Sequence, residues 1–147
     1  MTMKISTGLA KSMLDTASFK GSLSGMKLKI YSGTEPATAD AALGAAVLLV
    51  TISDNGGAGA LSFEAAAVGN VLEKLASQTW SGTVASSGTA SFCRLELASD
   101  TGASSSTEVR VQGDVGLAGK FLNLSSVSLT AAAVQVVDFL SITMPTQ

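Results

Sequence analysis

The hydrophobic period changes once in this chain, and it changes early. Residues 7–19 place Leu9, Ala10, Met13, Leu14 and Ala17 three and four positions apart, the single stripe of an amphipathic helix. Thr7 can cap its start, and Gly21 follows as a stop. Beyond that point apolar residues recur mainly at every second position, in short runs cut by Gly, Asn, Asp and Ser. In residues 27–31, Leu28 and Ile30 oppose Lys27, Lys29 and Tyr31. In residues 89–97, Cys93, Leu95 and Leu97 oppose Phe92, Arg94 and Glu96. Such runs suit short strands with one face turned inward. The pattern predicts an all-β fold: a single β-sandwich, jelly-roll-like or barrel domain with a short N-terminal helix. All 147 residues read as one domain, with residues 1–20 as N-terminal arm and helix.

The other strands follow from the same signals. Residues 46–53 are a β-branched, nearly continuous apolar strand closed by the turn Asp54-Asn55-Gly56-Gly57, where Asn and Gly tolerate positive φ. Residues 63–78 read as strand, turn, strand around Gly69-Asn70. Residues 79–85 and 89–97, joined at Ser86-Ser87-Gly88, read as a hairpin. Short strands are expected at residues 108–112 and 121–124. Residues 134–144 make the longest, with Val134, Val136, Leu140, Ile142 and Met144 on one face and Asp138 as the lone interruption. Residues 33–42 form a loop that holds Pro36 and Asp40.

Composition removes most chemistry. With no His and one Cys, the chain has no histidine base, no His-ligated metal, no intrachain disulfide and no multi-cysteine zinc site. Nine basic against eleven acidic residues give a net charge of −2, with no basic stripe of the kind nucleic acid selects. The longest apolar run, residues 41–52, is broken by Gly44 and Thr51 and falls short of the ~20 residues that cross a bilayer. Residues 1–9 lack the apolar segment of a signal peptide, so the Asn123-Leu124-Ser125 triplet reads as chance. Charged residues are 14% of the chain, where a soluble domain usually has ~25%. Charged surface keeps domains apart, so this composition points to a life against other protein surface.

The motifs that could carry catalysis do not assemble. Ser24-Gly25-Met26-Lys27 and Ser53-Asp54-Asn55 match two elements of the penicillin-recognising serine enzymes, but no K-T-G exists and Lys27 opens a strand instead of a helix. Gly56, Gly57 and Gly59 lack the Lys-Ser/Thr of a P-loop. Glu64 with Glu73, and Asp100 with Glu108, read as solvated surface acids. Asp138, flanked by apolar residues, is expected at an edge, beside Arg94 or Arg110, or in a subunit contact. Trp80 and Tyr31 read as packing aromatics, and Cys93 as a small buried hydrophobe. No cofactor and no catalytic residue is expected.

The order of segments carries a resemblance. Ile5-Ser6-Thr7-Gly8-Leu9 leads into the helix, followed by Leu28-Lys29-Ile30-Tyr31-Ser32-Gly33-Thr34-Glu35-Pro36-Ala37-Thr38-Ala39-Asp40-Ala41-Ala42. Then come Trp80-Ser81-Gly82-Thr83, Gly88-Thr89-Ala90-Ser91-Phe92-Cys93-Arg94-Leu95, Arg110-Val111-Gln112-Gly113-Asp114-Val115-Gly116 and Leu122-Asn123-Leu124-Ser125-Ser126. This series resembles the head decoration, or cement, proteins of tailed bacteriophages. The resemblance implies a non-enzymatic virion protein, made in the bacterial host cytoplasm, on the capsid exterior where major capsid subunits meet. Its partners would be the major capsid protein and copies of itself, trimer first and dimer next, with neither nucleic acid nor membrane. Contacts are expected from the arm, Met1, Thr2, Met3, Lys4 and Ile5, and from Gly33, Thr34, Glu35, Pro36 and Asp40 of the loop, because termini and long loops are natural clasps. Other readings are a tail or neck subunit (tail tube, terminator or baseplate) and a carbohydrate- or receptor-binding β-module.

Overall fold

The computed structural model describes residues 1–146. Its elements in chain order are β1 (Met3–Ile5), α1 (Thr7–Asp15), α2 (Phe19–Ser22), β2 (Met26–Ser32), β3 (Val47–Asp54), β4 (Val71–Glu73), β5 (Trp80–Thr83), β6 (Gly88–Thr89), β7 (Phe92–Leu97), β8 (Val111–Gly116), β9 (Leu122–Asn123), β10 (Ser128–Leu129), β11 (Val134–Val137) and β12 (Ser141–Thr143). The fold is all-β with a short N-terminal helix. A large sheet runs in the order β1-β8-β7-β2-β3-β5-β11, every neighbouring pair antiparallel, with β9 added parallel to β8. Two small ladders, β6 with β10 and β4 with β12, complete it.

The inner face of the large sheet carries the apolar phase of the alternation. Leu28, Ile30, Val50, Ile52, Cys93, Leu95, Val111, Trp80 and Val137 are all buried there, and Leu72, Ile142 and Leu129 of the small ladders join the same core. Trp80 meets Phe63 edge-on at 5.5 Å between ring centroids. Gly113 of β8 is needed by this packing, since a Cβ there would lie 2.3 Å from the Phe121 ring.

Several expectations are corrected. The helix is capped by Ser6, whose Oγ accepts from the Leu9 amide, and it ends at Asp15 before a separate turn at α2. Its stripe is only partly used: Leu9 is buried, but Leu14 is 86% exposed. Residues 79–85 and 89–97 are not a hairpin. β5 lies between β3 and β11, β7 lies between β2 and β8, and the connection crosses β3 with the Ala85 amide on the Leu49 carbonyl. The strand expected at 108–112 begins at Val111. The long last strand breaks at Asp138 into β11 and β12, and its phase flips: Val134 and Val136 face out, while Val137, Leu140 and Ile142 are buried. Residues 63–78 contain β4 and the bridges Phe63 to Lys74 and Val68 to Val71, with Gly69 at positive φ in the turn.

Candidate functional site

The arm joins the sheet as its first edge. β1 pairs with β8 in the register Met3 to Gly113, Lys4 to Gln112 and Ile5 to Val111. Alternation then sends the Lys4 side chain to the outer face, where it continues a cross-strand row of Gln112, Arg94, Lys29 and Thr51.

Two long loops cap that row. Residues 33–46 follow β2, and residues 98–109 follow β7. The cap is fastened by polar groups rising from the sheet. Lys4 Nζ and Gln112 Nε2 both donate to Glu35 Oε1, at 2.9 and 3.0 Å, and both donate to the Pro36 carbonyl. Arg94 Nε donates to Gln112 Oε1 and its Nη2 to the Ala41 carbonyl. Arg110 forms a two-pronged pair with Asp100, at 2.6 and 2.7 Å, and also holds the carbonyls of Ala39 and Ala103. Lys29 pairs with Glu96 at 2.9 Å and donates to the Asp100 carbonyl. The Tyr31 hydroxyl donates to the same Glu96 oxygen at 3.0 Å.

Asp40 completes the fastening at the helix. Its carboxylate accepts from the Thr7 amide at 2.9 Å and from the Thr7 hydroxyl at 2.5 Å, on the positive end of the α1 dipole. Ser6 Oγ, besides capping the helix, accepts from the Arg110 amide and donates to the Glu108 carbonyl. Gly8 lies so close to the second loop that a Cβ would sit 2.4 Å from the Thr107 carbonyl oxygen. At the other end of the arm, Asp114 accepts from the amides of Thr2 and Phe121 and lies 3.2 Å from Lys120 Nζ.

The electrostatics follow this wiring. Burial would raise the Asp114 carboxyl, but the two amides and the Lys120 ammonium overcome it and hold it at about 2. Burial likewise opposes ionisation of Asp100, and Arg110, the Gly102 amide and Lys29 together bring it below the usual carboxylate range. Burial lowers Arg94, helped by the nearby Arg110 charge, whereas the hydrogen bond to Asp100 raises Arg110. Burial, then the Glu96 charge, pushes the Tyr31 phenol up. Arg94 Nη1 and Glu96 Oε2 are buried without a hydrogen-bond partner in the chain.

The expected contact residues therefore come together. Lys4 meets Glu35 and Pro36, and Asp40 meets Thr7, so arm and loop form one rim along the β1 edge. Met1, Thr2, Ile5, Gly33 and Thr34 remain exposed on or near it, and Met3 is half-buried. Residues 94, 96, 100, 110, 112 and 114 were not legible as part of it. Asp100 is a correction, since it is buried in an ion pair instead of solvated on the surface. Asp138 is exposed beyond β11 and pairs with neither Arg94 nor Arg110, both of which are buried.

The other groups singled out in the sequence have structural partners. Lys27 Nζ and Ser53 Oγ both donate to the Gly57 carbonyl, fastening the turn over β2 and β3. Glu64 accepts from the Ala76 amide. Trp80 and Tyr31 are buried, so neither offers an exposed stacking face. Burial pushes the Cys93 thiol up, which disfavours the reactive thiolate. Among the described residues, no group of three or more His, Cys, Asp or Glu could hold a metal ion, and no helix is long and apolar enough to cross a membrane. No known protein family, no curated protein and no solved structure matches this chain.

Proposed function

We propose that this chain is a non-enzymatic structural protein of a tailed-bacteriophage virion, which binds the capsid exterior at junctions between major capsid subunits and cements the shell. The observation that carries this reading is the rim. Two segments some thirty residues apart, both nominated as clasps, are wired into one surface by Lys4, Glu35, Pro36, Thr7 and Asp40. Its exposed residues include Met1, Thr2, Ile5, Gly33 and Thr34, a mostly uncharged set suited to a packed protein contact instead of a steered electrostatic one. On this reading the chain is made in the host cytoplasm, needs no cofactor, and works as a homo-oligomer, trimer before dimer, so that each modest contact is repeated over the lattice.

Quantitative mass spectrometry of purified virions tests it. A ratio to the major capsid protein near one, or a simple fraction of one, is expected, and absence from virions overturns the reading. Deletion of residues 1–5 is expected to abolish binding to bare shells while the sheet stays folded; unchanged binding sinks the arm's role.

A second reading is a tail or neck subunit. It is favoured by β11, a sheet edge with Val134 and Val136 turned outward and no charge within the strand. Such an edge is a ready site for strand pairing between copies. A handful of copies per particle, with rings or tubes formed by the purified protein, would select it.

A further inference from the structure

The cap over β1, β8, β7 and β2 has properties unlike the rest of the molecule. Its two loops are bonded to each other, through the Leu43 amide on the Gly102 carbonyl and the Ser105 amide on the Asp40 carbonyl, both at 2.9 Å. Among the described residues, no backbone hydrogen bond joins residues 34–46 to a strand of the large sheet. The first loop is attached through side chains, with Lys4, Arg94, Arg110 and Gln112 donating to its carbonyls and Thr7 to Asp40. The second loop is held by Lys29, Arg110 and Ser6 and by one backbone bond to β7, the Asp100 amide on the Leu97 carbonyl. In residues 33–46, Ala39 is the only fully buried apolar side chain.

The layer beneath the cap is mixed, with the ions Lys29, Arg94, Glu96 and Arg110 beside the stacked rings of Tyr31 and Phe92, so lifting the cap hydrates ions and amides along with two rings. The opposite side of the sheet is lined by hydrocarbon, so lifting its cover would bring no such hydration of ions. The first loop also has left-handed glycines near both ends, Gly33 at φ 102° and Gly44 at φ 60°, with open space around Gly44.

We propose that residues 33–46 and 98–109 open and close as one cooperative unit while the sheet stays intact, pivoting at Gly33 and Gly44. Closed, the cap presents small uncharged side chains, among them Thr34, Ala37, Thr38, Ala42 and Ala45. Open, it uncovers Lys29, Arg94 and Arg110 on the outer face. The proposal does not depend on the virion reading, because it concerns the chain alone.

Native-state hydrogen exchange on the full chain, read by NMR, tests it. The Leu43 and Ser105 amides each close a bond between the two loops, and Ile30 and Cys93 sit in the centre of β2 and β7. Leu43 and Ser105 are expected to share one protection factor, about 100-fold below that of Ile30 and Cys93. Lys4→Met, which removes two bonds at the surface rim, is expected to lower Leu43 and Ser105 protection several-fold more than that of Ile30 and Cys93. Protection of Leu43 and Ser105 equal to that of the central strands would make the cap an inseparable part of the sheet and overturn the proposal. Protection differing more than about 10-fold between Leu43 and Ser105, or an equal response of all four amides to Lys4→Met, would overturn it as well.

Discussion

The outer face of the large sheet is two surfaces with the same backbone. On β8, β7 and β2 it carries Gln112, Arg94, Glu96 and Lys29, buried beneath loops and linked into ion pairs and carbonyl bonds. On β11 it carries Val134 and Val136, 68% and 40% exposed, with no loop above them. The usual assignment of polar residues to water and apolar residues to the core is reversed between the two halves. What decides the environment is whether a long loop returns over the strand. Buried charge here is tolerable because nearly every donor has an acceptor, and the carboxylates Asp100 and Glu96 stand against Arg110 and Lys29.

The contrast can be broken most severely at the ion pair. Asp100→Ala strands the Arg110 guanidinium in the interior and is expected to cost about 3–5 kcal/mol by urea denaturation. The double variant Asp100→Leu/Arg110→Met is expected to recover part of that loss, though not all, because the carbonyls of Ala39 and Ala103 lose their donor. On the inner face, Leu95→Ala is expected to cost about 2–5 kcal/mol, which would rank the charged layer alongside the apolar core.

A gentler probe is acid. The Asp114 carboxyl titrates at about 2 in the folded chain, against 3.8 for its ordinary value, so the stability it contributes is complete above that ordinary value and lost as pH falls toward 2. Chemical denaturation between those limits is expected to show a steeper decline for the natural chain than for Asp114→Asn. The smallest effect belongs to the bare half. Val134→Lys should change stability by no more than about 0.5 kcal/mol, because its side chain is mostly in solvent. A larger loss there would mean that the uncovered face is covered in solution.

Much of the architecture was written in the period. The alternation of residues 27–31 and 92–97 located β2 and β7 and named the residues that share each face, and Gly69-Asn70 marked its turn. Pairing was another matter. Ser86-Ser87-Gly88 has hairpin chemistry, but Gly88 packs against Leu49, where a Cβ would lie 2.9 Å from its side chain, and the chain passes over β3 instead of turning back. Local turn signals cannot report that crossing. The candidate site divides in the same way. Lys4, Glu35, Pro36 and Asp40 were legible because an arm and a long loop announce themselves. Arg94, Arg110, Asp100 and Gln112 were not, since alternation separates two faces without saying which is covered.

The arm's place in the sheet has a consequence for how the chain is made. Residues 3–5 pair with residues 111–113, so β1 has no strand to join until more than a hundred further residues have left the ribosome. At ~5–20 residues per second that delay is roughly 5–20 seconds, during which Met3 and Ile5 wait unsheltered while β2 and β3 can already pair. β1, the earliest strand of this sequence, is thus among the last to dock.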